Sequence, residues 1–181
     1  FAAIVIGFAS QSIVSNLLSG VLLMIERPMK IGDSATIDGV TGTVEQVRII
    51  STHIRTFDGI FVRIPNEKVF THKITNYLSQ PARRWTYTIG IRYADDADKA
   101  KALIVRMLDG HPLILKDPAP YVYVDELRDN SVNLSVKVWA PATHWWGVRI
   151  EMMWKLKQEL EANGIEIPFP QRVVWMKKEE T

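Results

Sequence analysis

The sequence predicts one membrane-type α-helix followed by an α+β body, made of a small β barrel and a ferredoxin-like domain. Three observations carry this reading. No charged residue precedes Glu26. Residues 29–80 are rich in Val, Ile and Thr and are punctuated by Asp-Gly turns. From residue 85 onward, strand and helix patterns follow the order β-α-β-β-α-β.

Composition bounds the function. A chain of 181 residues allows one large or two small domains. Its 22 Lys+Arg nearly balance 20 Asp+Glu, which argues against a wholesale nucleic-acid binder. The absence of cysteine excludes disulfides and thiolate chemistry. The chain begins at Phe1, without Met or a basic leader, so it does not read as a secretory signal peptide. It is expected to be a fragment of a protein that is longer on its N-terminal side.

The opening run is FAAIVIGFASQSIVSNLLSGVLLMIERPMK. Its uncharged stretch would form a helix of about 38 Å, against a hydrocarbon core of about 30 Å. Residues 1–9 are apolar all round. Ala3, Gly7 and Ser10 form a small-residue face that lets helices approach closely in lipid. Ile4 and Phe8 share another face. From residue 12 the pattern becomes amphipathic, with Ile13, Val14, Leu17, Leu18, Val21 and Leu22 in one stripe. Ser12, Ser15, Asn16 and Ser19 lie opposite. A bend is expected where the pattern changes, at Gln11 and Ser12. Pro28 ends the helix, and Arg27 and Lys30 suit a cytoplasmic flank. A buried helix of a soluble protein is the competing reading, but the apolar first half has no visible partner elsewhere in the chain.

Residues 28–80 read as a β domain, with strands expected near 34–38, 41–50, 52–57, 60–65 and 73–78. IDGV and FDGI are hairpin signals, and five short strands with tight turns suggest a barrel-like sheet. In IPNEKVF, Asn66 is expected to cap a helical turn. The basic residues Arg48, Arg55, Arg63, Lys68 and Lys73 are too dispersed among the aromatics to form a stacking platform for nucleic acid.

Pro81-Ala82-Arg83-Arg84 reads as a linker, and residues 81–170 as the ferredoxin-like domain. WTYTIGIRY is a strand. ADDADKAKALIVRMLDG is a helix capped by Asp95 or Asp96 and closed by Gly110. Helix capping explains this acidic cluster without a metal. Two more strands, PAPYVYVDEL and SVNLSVKVWA, precede a helix in which Val148, Met152, Leu156 and Leu160 repeat every four residues. RVVWMK, within residues 171–181, is expected to be a last strand. His53, His72, His111 and His144 have no metal-ligand spacing. No nucleophile elbow, P-loop or dinucleotide fingerprint is present. The residues therefore suggest no catalytic group, no metal and no cofactor.

Taken together, GFASQSIVSNLLSGVLLMIERPMKIGD, GVTGTVEQVRIISTHIRTFDGIFVRIPNEKV, ITNYLSQPARR and GIEIPFPQ resemble the small-conductance mechanosensitive channel family across essentially the whole chain. The resemblance implies a homoheptamer in the cell (inner or plasma) membrane, multi-pass in its full-length form, with a cytoplasmic cage. It implies a pore-lining helix over residues 1–10, a continuation of that helix along the cytoplasmic membrane surface, a small Sm-like β barrel, the ferredoxin-like domain, and a C-terminal strand in an axial barrel. Tension would open the pore and release ions and small osmolytes on hypo-osmotic shock. Carried over by position, the pore constriction falls on Ile4 and Phe8, helix packing on Ala3 and Gly7, and hinges on Gln11, Ser12 and Gly20. Asn16 falls at the contact between helix and cage. The chain has Ser12 where the best-known members have glycine, and Phe8 where leucine is usual. Membrane lipids and sister subunits are the implied partners, with no nucleic acid. A small-barrel RNA-binding module and a non-conducting membrane scaffold are the alternatives.

Overall fold

The computed structural model describes residues 2–175, with side chains from Ile6 onward. The chain divides into two compact units, Phe1–Pro81 and Ala82–Thr181.

Unit 1 opens with α1 (Ala2–Glu26). The helix ends as Arg27 adopts a left-handed φ of 49° ahead of Pro28, while its N–H still reaches the Leu23 carbonyl. Strands β1 (Ser34–Ile37), β2 (Val40–Val47), β3 (Ser51–Thr56), β4 (Phe61–Pro65) and β5 (Ile74–Asn76) follow, with α2 (Asn66–Thr71) between the last two. They form one antiparallel sheet in the order β4-β3-β2-β1-β5. At the tight β1–β2 turn, Asp38 and Gly39 both take positive φ, which the Asp-Gly pair tolerates. Ala35, Ile37, Val44, Ile54, Ile64 and Val69 of α2 fill the core, joined by Leu23 of α1 and Met29.

Unit 2 contains β6 (Ala82–Ile91), α3 (Ala97–Asp109), β7 (Tyr121–Leu127), β8 (Val132–Pro141) and α4 (Trp145–Ala162). The sheet order is β6-β8-β7, three strands of a ferredoxin-like sheet. Trp85, Tyr87, Ile89 and Ile91 alternate inward and pair across the ladder with Val138, Val136, Leu134 and Val132. Asp96 caps α3 by accepting the N–H groups of Asp98 and Lys99. Val148, Met152, Leu156 and Leu160 of α4 are all buried in the same core.

Three sequence expectations are corrected. The linker ends at Pro81, because Ala82, Arg83 and Arg84 already belong to β6, paired with Pro141, Ala140 and Trp139. The Arg83 guanidinium lies 3.5 Å above the Trp145 ring, and that of Arg84 lies 5.8 Å from the centre of the Trp139 ring. Asn66 does not cap α2: Pro65 occupies that position and the Asn66 side chain turns inward. Residues 171–175 form no strand, since no neighbouring strand pairs with them within the described chain. The rest of RVVWMK lies outside the described residues.

Candidate functional site: the apolar helix and its seat on the β domain

In the second half of α1 the side with Ser15, Asn16, Ser19 and Gly20, continued by Leu23, faces the protein, and the side with Ile13, Val14, Leu17, Leu18 and Val21 faces outward. Ser19 and Gly20 are buried, Leu23 is 4 % exposed, and Asn16 is partly covered. These positions follow the i, i+3, i+4, i+7 spacing of one helix face. The apolar stripe read from the sequence is the open one: Ile13 is 67 % exposed and Leu18 59 %. A water-soluble amphipathic helix would dock the other way round. By length and composition, Ile6–Glu26 is able to cross a membrane.

The seat is built from backbone and two asparagines. The Asn16 side-chain amide donates to the Ser12 carbonyl at 2.8 Å, and its oxygen accepts the Glu67 N–H, in the first turn of α2, at 3.0 Å. Only one orientation of the amide serves both partners, because a carbonyl accepts and an N–H donates. Asn66 is fully buried. It donates to the carbonyls of Arg48 at 2.8 Å and Ile49 at 3.0 Å, and accepts from the Thr52 hydroxyl at 2.9 Å. This pins the β2–β3 turn against the start of α2. Gly20 rests on that turn. A Cβ there would lie 2.5 Å from the Asn66 amide nitrogen and deep inside contact distance of the Ile49 carbonyl. Only glycine permits this approach.

The helix is continuous through Gln11 and Ser12, where the sequence pattern suggested a break. There the Asn16 side chain bonds back to the Ser12 carbonyl one turn earlier, within an unbroken helix. Phe8 is 75 % exposed. Gly7 has open space where a Cβ would stand. The side chains of Ala3 and Ile4 lie outside the described residues.

This helix and β domain have close counterparts among known proteins. Residues 12–79 match the family model "Mechanosensitive ion channel, beta-domain", and residues 85–167 match "Mechanosensitive ion channel MscS, C-terminal". The chain belongs to the MscS family of mechanosensitive channels. An uncharacterised family member from Archaeoglobus fulgidus is 61 % identical over 97 % of this chain and 62 % of its own length. The small-conductance mechanosensitive channel MscMJ of Methanocaldococcus jannaschii is 32 % identical over 96 % of this chain and 51 % of its own. Helicobacter pylori MscS, solved in a closed state, superposes with a TM-score of 0.87 at 28 % identity, covering 98 % of this chain and 71 % of that one. The chain thus spans about 60 % of the length of the curated relatives it matches. Family and fold are those of channels rather than enzymes.

Sequence reasoning missed the part that Asn66, Thr52 and Ser19 play in seating α1. The one available signal was that four small or uncharged polar residues, Ser15, Asn16, Ser19 and Gly20, share a side of an otherwise apolar helix.

Proposed function

We propose that this chain is the pore-lining and cytoplasmic part of a homoheptameric channel that opens under membrane tension and releases ions and small osmolytes on hypo-osmotic shock. The observation that carries the reading is the inverted docking of α1, whose exposed apolar stripe calls for lipid or sister helices. Ile4 and Phe8 form the constriction, an apolar ring that blocks ions by dewetting. Ala3 and Gly7 are the surface on which neighbouring helices slide. Gln11, Ser12 and Gly20 absorb the change in helix direction, and Asn16 reports it to the cage through Glu67. The full-length protein sits in the cell membrane with further membrane helices, and the units after α1 are cytoplasmic. Tension favours whichever state has the larger in-plane area.

The test is patch-clamp recording of the full-length protein in lipid, with suction applied to the patch. Stepwise currents appearing only under suction are expected. Silence up to membrane rupture, from correctly assembled protein, would overturn the reading in favour of a non-conducting scaffold.

A further inference from the structure

Unit 1 carries a groove that the seating of α1 does not fill. Part of its lining is apolar: Met24, Ile49, Ile50 and Phe61 face it, and all four are exposed. The rest is basic, from Arg48, His53 and Arg63. The strand register sets Gln46, His53 and Arg63 in one row across β2, β3 and β4. Arg48, one residue past β2, donates from Nε to the Gln46 side-chain oxygen at 2.8 Å, which holds its guanidinium beside that row. His53 packs edge-on against Phe61, with ring centres 4.9 Å apart. Two guanidinium groups and an imidazole therefore gather on one patch next to exposed apolar side chains.

Neither Arg48 nor Arg63 forms an ion pair among the described residues, and Glu45 of β2 is committed to Arg55 at 3.0 Å. Like charges gathered without a counter-charge favour an anion, and the planar fork of arginine matches the oxygens of a phosphate. A soluble phosphate would need the basic patch alone. The apolar lining points to a ligand with a second, apolar part. Leu17, Val21 and Met24 recur at i, i+4 and i+7 along α1 and are all exposed, so the open stripe of the helix runs into the groove. From Leu17 to Met24 the helix advances about 10 Å. An apolar track of this length that ends at phosphate-matching charge follows the order of groups in a phospholipid. Two arginines outweigh one phosphate, so a headgroup with net negative charge fits better than one that adds an ammonium.

We propose that the groove between the end of α1 and the β2–β3 turn binds an anionic phospholipid, its phosphate between Arg48 and Arg63 and its chains along Met24, Val21 and Leu17. The proposal deepens the channel reading and rests on its placement of α1 in the membrane. The test uses the full-length protein reconstituted in phosphatidylcholine vesicles. Ile50→Trp places an indole in the groove. The six tryptophans of this chain all lie at or after Trp85, so the difference from wild type reports on the groove. Lipids brominated in the acyl chain quench an indole they touch. Brominated phosphatidylglycerol is expected to half-saturate the quenching at a several-fold lower mole fraction than brominated phosphatidylcholine. Arg48→Gln with Arg63→Gln should remove that preference and leave the phosphatidylcholine curve unchanged. Inorganic phosphate, added at matched ionic strength, should not relieve the quenching. Phe61→Trp provides the same readout at a second position.

Equal half-saturation by the two brominated lipids, or a preference that survives both arginine substitutions, would overturn the proposal. Quenching relieved by inorganic phosphate would make this a soluble-anion site and overturn the lipid assignment. The readout needs no conduction. A protein that opens under suction yet shows no lipid preference sinks this inference alone, and a silent protein that keeps the preference sinks only the channel reading.

Discussion

At the scale of single residues, the seat of α1 depends on groups with no freedom to change. Gly20 fits against the Ile49 carbonyl because it lacks a Cβ. Gly20→Ala must therefore lift the helix off the β2–β3 turn or push the turn aside, and overpacking of this kind costs about 1–3 kcal/mol. A lower thermal midpoint of the assembled protein is expected, and an unchanged one would mean that the turn yields freely. Asn66 offers a sharper contrast. Asn66→Asp turns a donor that serves two backbone carbonyls into a buried acceptor facing them. Asn66→Ala leaves the same groups unpaired at about 1–3 kcal/mol each. Both variants should unfold earlier than wild type, Asp more than Ala at neutral pH, as differential scanning fluorimetry would show. The part played by Asn66 was not legible in the sequence. The partners of Asn66 lie 14 to 18 residues away, across a hairpin. The local signal, Pro-Asn before a helical turn, pointed to a cap instead.

At the scale of elements, periodicity located nearly everything that is held by its own hydrogen bonds. The five strands of unit 1 fall within a few residues of their expected places because Asp-Gly turns fix where hairpins reverse. The C-terminal segment, expected as a strand shared between subunits, pairs with nothing inside the described chain, because strand character is a property of a pair. Val173, Val174 and Trp175 have the composition of a strand and no neighbour within the described chain. What does hold the chain after α4 is a charged clasp. Arg92 bonds Asp95 at 2.9 Å and Glu166 at 2.8 Å, and the Asp95 carboxylate also accepts the Glu166 N–H at 2.9 Å. The Arg92 hydrogen bond, with help from the Glu166 N–H, holds the Asp95 carboxyl below its ordinary value near 3.8. A lowered folded-state pKa stabilises the fold above the unfolded value, and the gain is lost as pH falls through the folded one. Asp95→Asn should therefore lower the unfolding midpoint at pH 7, with the gap to wild type closing as the pH falls below the ordinary carboxylate range. A gap independent of pH would show that the clasp works through shape rather than charge.

At the scale of the whole molecule, the inverted docking of α1 links fold to function. The β domain holds the helix by its polar face, so movement of the seat and movement of α1 are mechanically one event. The sequence contained both faces of α1 but not which one met protein, because amphipathicity fixes a division and leaves its direction to the surroundings. The channel reading makes its strongest claim at Phe8. On that reading, a phenyl ring in each subunit would keep water out of a narrow pore, and the dry gap would be the barrier to ions. Phe8→Ser replaces that ring with a hydroxyl that hydrogen-bonds water, so the closed pore should wet. Under patch clamp, the full-length variant should open at lower suction than wild type and leak at rest, and cells making it should grow poorly. Phe8→Leu keeps the apolar ring and should retain a tight closed state. If Phe8→Ser gates at the wild-type threshold without leak, the barrier lies elsewhere along the helix, and Ile4 becomes the position to replace next.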